Sequence, residues 1–356
     1  MPDAGYQKIA FVAGTLGIGG AERQLYYLAS TLQEKGYSVT VYCLTQKEYY
    51  ESKLAAKGID VIFFGRSKSK LRRAYQLYKL LKANPPDLVY SFHFYTNIYG
   101  SIAAKILRIK MAGSIRSNGI AEKKANGLLS WLHYMLPDCI IANSKHGADN
   151  CEKIFYKKKL FVLGNVIREN LFRFAPKKIN KDECLRIIWV GRLTPVKQPH
   201  LFPLLIKHLR DLGLAVEGHM YGDGNLKDDL VNLLNTNYHK YPVFLYSSHQ
   251  KIQDVYKDAH WLCSTSKFEG TSNVVIEAMA SGVAIASLQY QGIGTLIDNQ
   301  VNGLVEKDIT QLANGIHDYS EDDRYSSLLF KARQEIELHY SFDSLVTSFE
   351  EILFQI

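Results

Sequence analysis

Short apolar runs alternate with longer amphipathic segments along most of the chain. Residues 9–13 are apolar, a glycine-rich loop follows at residues 14–20, and residues 21–32 place Leu25, Leu28 and Leu32 on one helical face. The same alternation predicts further strands at residues 38–44, 61–64, 88–92, 112–115 and 139–142, with helices at about 70–82 and 98–107. Strands separated by helices are typical of a parallel sheet with helices on its faces.

The alternation fades near the middle of the chain and then begins again. Residues 168–184 contain Pro176 and Asn180 and lack a clear apolar period. Strands are again predicted at residues 187–190, 215–221, 243–246, 261–264 and 283–287, each followed by a loop and a helical segment. We therefore expect two doubly wound α/β domains of the Rossmann-like type, at residues 1–170 and 171–341.

Composition agrees with this division and adds an asymmetry of charge. A chain of 356 residues with 47% apolar and 22% charged residues is typical of globular proteins with ordinary cores. The net charge of +8 is unevenly distributed, because residues 1–178 carry 28 basic and 12 acidic groups, whereas residues 179–356 carry 15 and 23. The basic half indicates an anionic partner.

The cysteines and the apolar segments predict the cellular compartment of the protein. The five cysteines form no C-x-x-C pair, which favours a reducing compartment over a disulfide framework or a zinc site. The amino terminus does not resemble a secretory leader, and no apolar run approaches the roughly 18 residues of a spanning helix. We expect a cytoplasmic protein.

Three loops that follow predicted strands carry candidate chemistry, because ligands of open parallel sheets bind at the carboxyl ends of strands. In the first loop, Gly17, Gly19 and Gly20 let the backbone approach a ligand beside a helix N-terminus, although a tight turn explains them equally well. A dinucleotide site is less favoured, since the third glycine of G-x-G-x-x-G and the ribose-binding acid are missing.

The second loop, at residues 191–197, places Arg192 and Lys197 five residues apart before a helical segment. Fixed cations stabilise the negative charge that a diphosphate gains when it leaves a sugar. Two solvated surface charges are the alternative, and this loop alone does not distinguish the two interpretations.

The third loop places Glu269 and Glu277 on either side of a loop-to-helix junction. Thr271, Ser272 and Asn273 are good cap residues, so we expect a helix to begin near Ser272 and Glu269 to lie in the loop before it. The free amides between the two carboxylates then face an anion. Glu277 alone is also compatible with an ordinary exposed helix acid.

Taken together, these motifs resemble those of the group-1, or family-four, glycosyltransferases of the GT-B fold. The resemblance spans nearly the whole chain, and its most specific part is the E-x7-E element from Glu269 to Glu277. Further shared motifs are Gly19-Gly20-Ala21-Glu22, Gly191-Arg192 with Lys197, Tyr221-Gly222-Asp223-Gly224, Gly292-Ile293-Gly294, Asn302-Gly303-Leu304-Val305 and Asn165. The resemblance implies two Rossmann-like domains facing across a cleft, with a final helix at about 342–356 that packs back on the first domain.

The resemblance also implies a retaining glycosyltransferase that uses a nucleoside diphosphate sugar (NDP-sugar). Arg192 and Lys197 would hold the donor diphosphate, Glu277 would hold the ribose, and Glu269 would contact the transferred sugar. No cofactor and no metal ion are expected. The other residues implied to bind the donor are Gly19, Gly20, Gly222, Gly270, Thr271, Ser272 and Asn273.

The acceptor side departs from the family pattern. Many relatives have a histidine where this chain has Arg116, Ser117 and Asn118. Arg116 is a candidate for an acceptor phosphate or, equally, for a structural ion pair, and Asn118 and His93 are further acceptor-side candidates. In addition, Thr295 replaces a glutamate that often contacts the donor.

Two basic segments of the first half are candidates for a membrane surface. Residues 66–82 predict a basic amphipathic helix with flanking aromatic residues, and residues 123–136 combine two lysines with a broad apolar face. Each segment is also compatible with a helix that packs on the core. With the resemblance, they predict a peripheral enzyme at the inner face of the membrane, acting on a glycan or lipid-linked acceptor in bacterial surface polysaccharide or glycolipid synthesis.

Two other functions are compatible with part of the pattern. Because a fold does not fix a reaction, a sugar-nucleotide epimerase or a phosphorylase-type enzyme on the same fold is one alternative. A nucleic-acid-binding or DNA-glycosylating protein is the other, but no helix-turn-helix, zinc finger or RNA-stacking motif accompanies the basic charge. We therefore expect no nucleic-acid partner.

Overall fold

In the computed structural model the chain divides into two compact units, each built on its own parallel sheet. The structure describes residues 6–67, 69–116, 130–152, 158–168, 171–180, 183–247, 251–320 and 324–356. Unit 1 comprises Met1–Asn165 and Asp343–Ile356, and unit 2 comprises Val166–Phe342. The sequence-based expectation placed these divisions after residues 170 and 341.

Unit 1 contains a seven-stranded parallel sheet. Its strands are β1 (Lys8–Ala13), β2 (Ser38–Cys43), β3 (Asp60–Phe63), β4 (Leu88–Ser91), β5 (Lys110–Ile115), β6 (Cys139–Ala142) and β7 (Lys159–Val162). Their order in the sheet is β3-β2-β1-β4-β5-β6-β7. The described helices that follow along the chain are α1 (Gly20–Glu34), α2 (Tyr49–Ala55), α3 (Lys70–Ala83), α4 (Asn97–Leu107), α5 (Ser130–Met135) and α6 (Lys145–Glu152).

Unit 2 contains a six-stranded parallel sheet of order β10-β9-β8-β11-β12-β13. Its strands are β8 (Leu185–Val190), β9 (Val216–Tyr221), β10 (Val243–Tyr246), β11 (Trp261–Ser264), β12 (Ala284–Leu288) and β13 (Leu304–Glu306). Its described helices are α7 (Leu201–Asp211), α8 (Lys227–Asn237), α9 (Ile252–Tyr256), α10 (Asn273–Ser281), α11 (Ile309–Ser320) and α12 (Arg324–His339). The predicted fold class of two doubly wound, Rossmann-like domains is confirmed.

The central strands are almost continuous apolar runs because helices cover both faces of each sheet. Every residue of β4, β6, β11 and β12 is buried. Successive side chains of a strand point to opposite faces, and in β8 Ile187 and Trp189 join one apolar cluster while Ile188 joins the other. Burial on both faces therefore fixes the strands whose carboxyl ends carry the candidate site.

The last helix, α13 (Asp343–Gln355), is part of unit 1. The Phe349 ring stacks on Tyr90 of β4 with centroids 5.7 Å apart, and the Tyr37 hydroxyl donates to Glu350 Oε1 at 3.0 Å. Lys110 Nζ also donates to the carbonyl oxygen of Ile356. The end of the chain is thus held by both packing and hydrogen bonds.

The basic segment at residues 70–82 is helical, as predicted, and forms α3. Its Ala74, Leu77 and Leu81 are buried, whereas Leu71 and Tyr75 are 79% and 57% exposed. The second basic segment is described only from Ser130 onwards, so most of it lies outside the described residues. Within the part of the chain that the structure describes, no helix combines the length and the apolar character needed to cross a bilayer.

Candidate active site

Each sheet has one point at which the strand order reverses, and this point is where open parallel sheets bind ligands. In unit 2 the reversal lies between β8 and β11, and the loops after these strands carry Lys197 and Glu269. In unit 1 it lies between β1 and β4, and the corresponding loops carry Gly19 and His93. Lys197, Glu269, Gly19 and His93 thus follow the strands that flank these two reversals.

Lys197 and Glu269 form an ion pair in unit 2, with Nζ and Oε1 2.8 Å apart. The Ser266 hydroxyl donates to the same carboxylate oxygen at 2.6 Å. Burial raises the pKa of Glu269, but the charge of Lys197 and the hydrogen bonds outweigh it, so the pKa lies below its usual value. Glu269 is therefore an ionised hydrogen-bond acceptor at neutral pH rather than a proton donor.

Hydrogen bonds between the two loops fix the backbone that carries this ion pair. The Thr265 hydroxyl donates to the Lys197 carbonyl oxygen at 2.7 Å and accepts from Trp189 Nε1 at 2.9 Å. The Lys267 N–H donates to the Val196 carbonyl oxygen at 2.8 Å. Since Trp189 is a buried residue of β8, both loops are tied to the core of unit 2.

Arg192 is exposed, and the loop that carries it packs against the Tyr221-Gly222-Asp223-Gly224 motif. A Cβ on Gly222 would lie 1.9 Å from the carbonyl oxygen of Gly191, so only glycine permits this approach. The Leu193 N–H donates to the Asp223 carbonyl oxygen at 3.0 Å. Gly222 therefore positions the loop that carries Arg192.

The helix predicted to begin near Ser272 is α10, whose first residue is Asn273. Ser272 occupies the N-cap with extended backbone, but its side chain makes no capping hydrogen bond to the helix. Ser272 therefore does not cap the first N–H groups of α10, and the start of the helix gives the adjacent loop a partial positive charge. Gly270 is buried in this loop, and Thr271 is half-buried.

Glu277 is 2% exposed, which excludes the interpretation of it as an exposed helix acid. The Tyr256 hydroxyl of α9 donates to Glu277 Oε2 at 2.9 Å. A buried carboxylate requires such partners because its desolvation is costly. Tyr256 was not recognised as a partner from the sequence, since nothing in the spacing of α9 and α10 indicates that they meet.

In unit 1, His93 connects the first glycine loop to the start of α1. The Gly14 N–H donates to His93 Nδ1 at 3.1 Å, and His93 Nε2 lies 3.2 Å from Glu22 Oε1. Because Nδ1 accepts a hydrogen bond, the ring proton is on Nε2 and points to Glu22. A Cβ on Gly19 would lie 2.1 Å from Glu22 Oε2, so Gly19 makes room for this carboxylate.

The carboxylate of Glu48 organises the same loop, and sequence reasoning missed it. Its oxygens accept hydrogen bonds from the Thr15 hydroxyl at 2.8 and 2.9 Å, from the Thr45 hydroxyl at 2.5 Å and from the Leu16 N–H. Burial raises the pKa of Glu48, but these hydrogen bonds outweigh it and lower the pKa below its usual value. Glu48 comes from the loop after β2, where no sequence motif identified it.

Arg116, at the end of β5, is partly buried against aromatic residues. Its guanidinium carbon lies 3.7 Å from the centroid of the Phe92 ring, and Nη2 donates to the Tyr90 hydroxyl at 3.1 Å. These contacts hold the cation near the strand end where the acceptor was expected. Asn118, the neighbouring acceptor-side candidate, lies outside the described residues.

Comparison with protein families places both units in glycosyltransferase families. Residues 18–170 match the family described as Glycosyltransferase Family 4, and residues 172–336 match Glycosyl transferases group 1. The chain belongs to the group-1 glycosyltransferases. This membership confirms both the predicted resemblance and the predicted enzyme class.

Curated relatives of this glycosyltransferase include enzymes with lipid-linked acceptors in their names. One is GalNAc-alpha-(1->4)-GalNAc-alpha-(1->3)-diNAcBac-PP-undecaprenol alpha-1,4-N-acetyl-D-galactosaminyltransferase of Campylobacter jejuni, 28% identical over 312 residues that cover 84% of each chain. Another is UDP-Gal:alpha-D-GlcNAc-diphosphoundecaprenol alpha-1,3-galactosyltransferase of Escherichia coli, 24% identical over 344 residues that cover 88% of each chain.

Solved structures similar to this glycosyltransferase agree with its fold. HepE of Anabaena, in complex with UDP and glucose, matches with a TM-score of 0.85 and 20% identity, covering 99% of this chain and all of that one. TarM of Staphylococcus aureus, in a mutant complex that contains UDP, matches with a TM-score of 0.81 and 14% identity, covering 98% of this chain and all of that one. At these identities the likeness shows the GT-B fold alone.

Proposed function

We propose that this glycosyltransferase transfers a hexose or an N-acetylhexosamine from a UDP-sugar to a saccharide carried on a polyprenyl diphosphate, with retention of configuration at the transferred anomeric carbon. The observation that carries this proposal is the ion pair of Lys197 with Glu269 in the loop directly before the start of α10. In this ion pair an ammonium, which suits a diphosphate, lies next to a carboxylate, which suits sugar hydroxyls.

The proposed chemistry assigns opposite charges to opposite parts of the donor. As the bond from the anomeric carbon to the β-phosphate oxygen breaks, negative charge accumulates on the departing UDP, and Lys197, Arg192 and the first amides of α10 stabilise it. The acceptor hydroxyl forms the new bond to that carbon, and its proton passes to the β-phosphate oxygen of the departing UDP. Glu269 accepts hydrogen bonds from the sugar and favours the positive charge that builds up at the anomeric carbon.

The nucleoside end of the donor is assigned to Glu277. Its carboxylate is held by Tyr256, and an oriented carboxylate is a suitable acceptor for two ribose hydroxyls. In this proposal Gly270, Thr271, Ser272 and Asn273 contribute backbone at the start of α10, Gly222 supports the Arg192 loop, and Gly19 and Gly20 form the first glycine loop.

The acceptor is assigned to unit 1. The guanidinium of Arg116, oriented by Phe92 and Tyr90, presents N–H donors of the kind that bind diphosphate oxygens in pairs. His93 contributes an oriented imidazole beside the first glycine loop, and Asn118 is proposed with it. The acceptors named for the two bacterial relatives carry such a diphosphate, which supports this assignment.

Retention of configuration is supported by the linkages and the donor that the names of the two relatives state. Both of the named bacterial enzymes form alpha linkages, and one of them uses UDP-galactose. The anomeric bond of the common UDP-hexoses is itself α, so an α product retains the configuration. We extend this outcome to the present chain because the two relatives align with 84% and 88% of it.

We also propose that the enzyme is peripheral at the inner face of the membrane and that α3 contributes to this attachment. Residues 70–83 contain five basic and no acidic residues, and Leu71 and Tyr75 are exposed on the same helix. The Lys79 ammonium lies 4.8 Å from the centroid of the Tyr75 ring. Exposed apolar groups surrounded by cations suit an anionic lipid surface.

A transfer assay tests the proposed function. The full chain is incubated with UDP-galactose, UDP-glucose, UDP-GalNAc or UDP-GlcNAc, each with and without a detergent-dispersed polyprenyl diphosphate that carries an N-acetylhexosamine. The released UDP is measured and the linkage of the product is assigned by NMR coupling constants. We expect UDP release that depends on the acceptor, and an α-linked product.

Other results of this assay contradict the proposal. A β-linked product contradicts retention. Equal release of UDP without acceptor, an epimerised sugar nucleotide, or sugar phosphate formed only in the presence of inorganic phosphate contradicts transfer and favours an epimerase or a phosphorylase.

A further inference from the structure

Tyr290 carries a buried hydroxyl that nothing in the described part of the structure satisfies. The residue is 6% exposed, and its Oη has no hydrogen-bond partner among the described residues. Its ring packs in the apolar cluster of unit 2 that contains Ile293 and Leu296. A buried hydroxyl without a partner destabilises a fold, so each such group needs a physical reason.

The position of Tyr290 at the carboxyl-terminal edge of the sheet suggests why its hydroxyl is unpaired. Tyr290 follows the carboxyl end of β12, the neighbour of β11, and Gln291 forms a parallel bridge with Phe268. Glu269 follows one side of this bridge directly and Tyr290 precedes the other. The backbone therefore brings the Tyr290 segment alongside the loop that carries the Glu269 carboxylate.

The charge of Glu269 also acts on Tyr290. Burial raises the pKa of the Tyr290 phenol well above its usual value, and the negative charge of Glu269 raises it further. The phenol thus keeps its proton and can donate one hydrogen bond. Glu269, which is ionised, can only accept hydrogen bonds.

We infer that the Tyr290 hydroxyl donates a hydrogen bond to an oxygen of the transferred sugar and is a residue that determines donor specificity. The inference rests on the proposed function, in which Glu269 binds that sugar. Tyr290 and Glu269 together recognise a sugar face with one accepting and one donating oxygen. The unpaired hydroxyl is then the cost in stability of a site that is completed by its ligand.

The test compares Tyr290→Phe with a matched control, Tyr325→Phe. Both changes remove one buried phenol oxygen from unit 2, but the Tyr325 hydroxyl is paired and donates to the His260 carbonyl oxygen at 2.8 Å. For each protein the transfer rate, the affinities for UDP-sugar and for UDP by calorimetry, and the melting temperature are measured.

For Tyr290→Phe we expect kcat/KM and affinity for the UDP-sugar to fall about three- to fifteen-fold, as for one lost hydrogen bond. The affinity for UDP should differ from that of wild type by less than about twofold, because UDP lacks the sugar and cannot make the deleted hydrogen bond. The melting temperature is equal or up to roughly 4 °C higher. Tyr325→Phe is expected to lower the melting temperature and to leave kcat/KM unchanged.

Failure of this inference is distinguishable from failure of the proposed function. If wild type transfers sugar but Tyr290→Phe matches it in kcat/KM and in UDP-sugar affinity, Tyr290 has no role in sugar recognition. If UDP and UDP-sugar lose affinity equally, the hydroxyl acts elsewhere in the site and the inference is wrong. If wild type transfers no sugar, the proposed function fails, and the two calorimetric affinities still decide whether Tyr290 contacts the sugar.

Discussion

Lys197 and Glu269 are separated by 72 positions in the chain, and their contact depends on one reversal of strand order. Each residue was predicted as a site residue from its own loop together with the family resemblance, because the loop of Lys197 alone is equally compatible with solvated surface charges. Their 2.8 Å contact was not predictable, since strand order is not encoded in the local pattern. The same limit hid Tyr256 as the partner of Glu277 and Tyr290 as the neighbour of Glu269.

At the residue scale, the substitution Lys197→Ala tests whether the Lys197 ammonium binds the donor diphosphate. Removing the ammonium deletes a charge-assisted contact to the diphosphate and leaves Glu269 without its counterion. We expect the affinity for UDP to fall by about 1.5 to 3 kcal/mol, measured by isothermal titration calorimetry. Lys240→Ala, at an exposed position of unit 2, is the control and should leave the affinity unchanged. Wild-type affinity in Lys197→Ala would exclude Lys197 from the diphosphate site.

At the scale of secondary-structure elements, β-loop-α units were predictable where the sequence carries local signals such as cap residues and hydrophobic periodicity. The start of α10 at Asn273 was expected from three consecutive cap residues, and α3 was expected from its period. Two strands, β7 and β13, were not predicted. Both are edge strands of three or four residues. β13 has only two apolar residues before Glu306, whereas β7 lies in the apolar run at residues 160–163, which the sequence analysis overlooked.

The Glu48 carboxylate makes the stability of the first glycine loop depend on pH. Its folded pKa lies below the unfolded value of about 4.3, so the unfolded chain binds the proton more tightly. The stabilisation is fully present above the unfolded pKa and is lost as pH falls through the folded pKa. We expect Glu48→Gln to lower the free energy of unfolding by about 1 to 3 kcal/mol at pH 7, with a difference that shrinks below about pH 4.

Urea unfolding at pH 7 and in acid measures this difference. Glu34→Gln is the control, because Glu34 forms a surface ion pair with Lys57 at 2.8 Å and should change stability by about 1 kcal/mol or less. A Glu48→Gln difference that is independent of pH would contradict the role assigned to its charge.

The exposed face of α3 predicts how the enzyme attaches to lipid. Replacing Leu71 by Gln removes an apolar group that is 79% exposed, so the fold is unaffected while insertion into the lipid interface weakens. We expect weaker sedimentation with vesicles of phosphatidylcholine and phosphatidylglycerol. Leu338→Gln is the control, since Leu338 is 65% exposed in unit 2. Equal binding of wild type to neutral vesicles, or equal loss in both variants, would contradict attachment through α3.

At the scale of the whole molecule, the sequence predicted two doubly wound domains and an uneven distribution of charge. The division by contacts falls at residues 165 and 342, close to the positions where the apolar alternation fades. The exact boundaries of the units depend on which sheet each connecting segment packs against. Local hydrophobic periodicity in the sequence does not contain this information. The basic excess of residues 1–178 fits an acceptor that carries a diphosphate on an anionic membrane.

Independence from metal ions is a prediction for the whole enzyme. If Lys197, Arg192 and the start of α10 supply all of the positive charge at the leaving diphosphate, treatment with EDTA followed by desalting should leave the transfer rate unchanged. The rate is measured before and after this treatment, and again with added Mg²⁺ or Mn²⁺. A loss of activity that Mg²⁺ or Mn²⁺ restores would contradict a site that works through side chains and amides alone.

The central claim is that Glu269 acts on the transferred sugar while the neighbouring cations act on the diphosphate, and Glu269→Gln separates these roles. The substitution keeps the shape of the side chain and removes its charge. With UDP-sugar and lipid diphosphate acceptor, we expect transfer to be abolished while the affinity for UDP stays nearly the same. Unchanged transfer by Glu269→Gln would contradict the account.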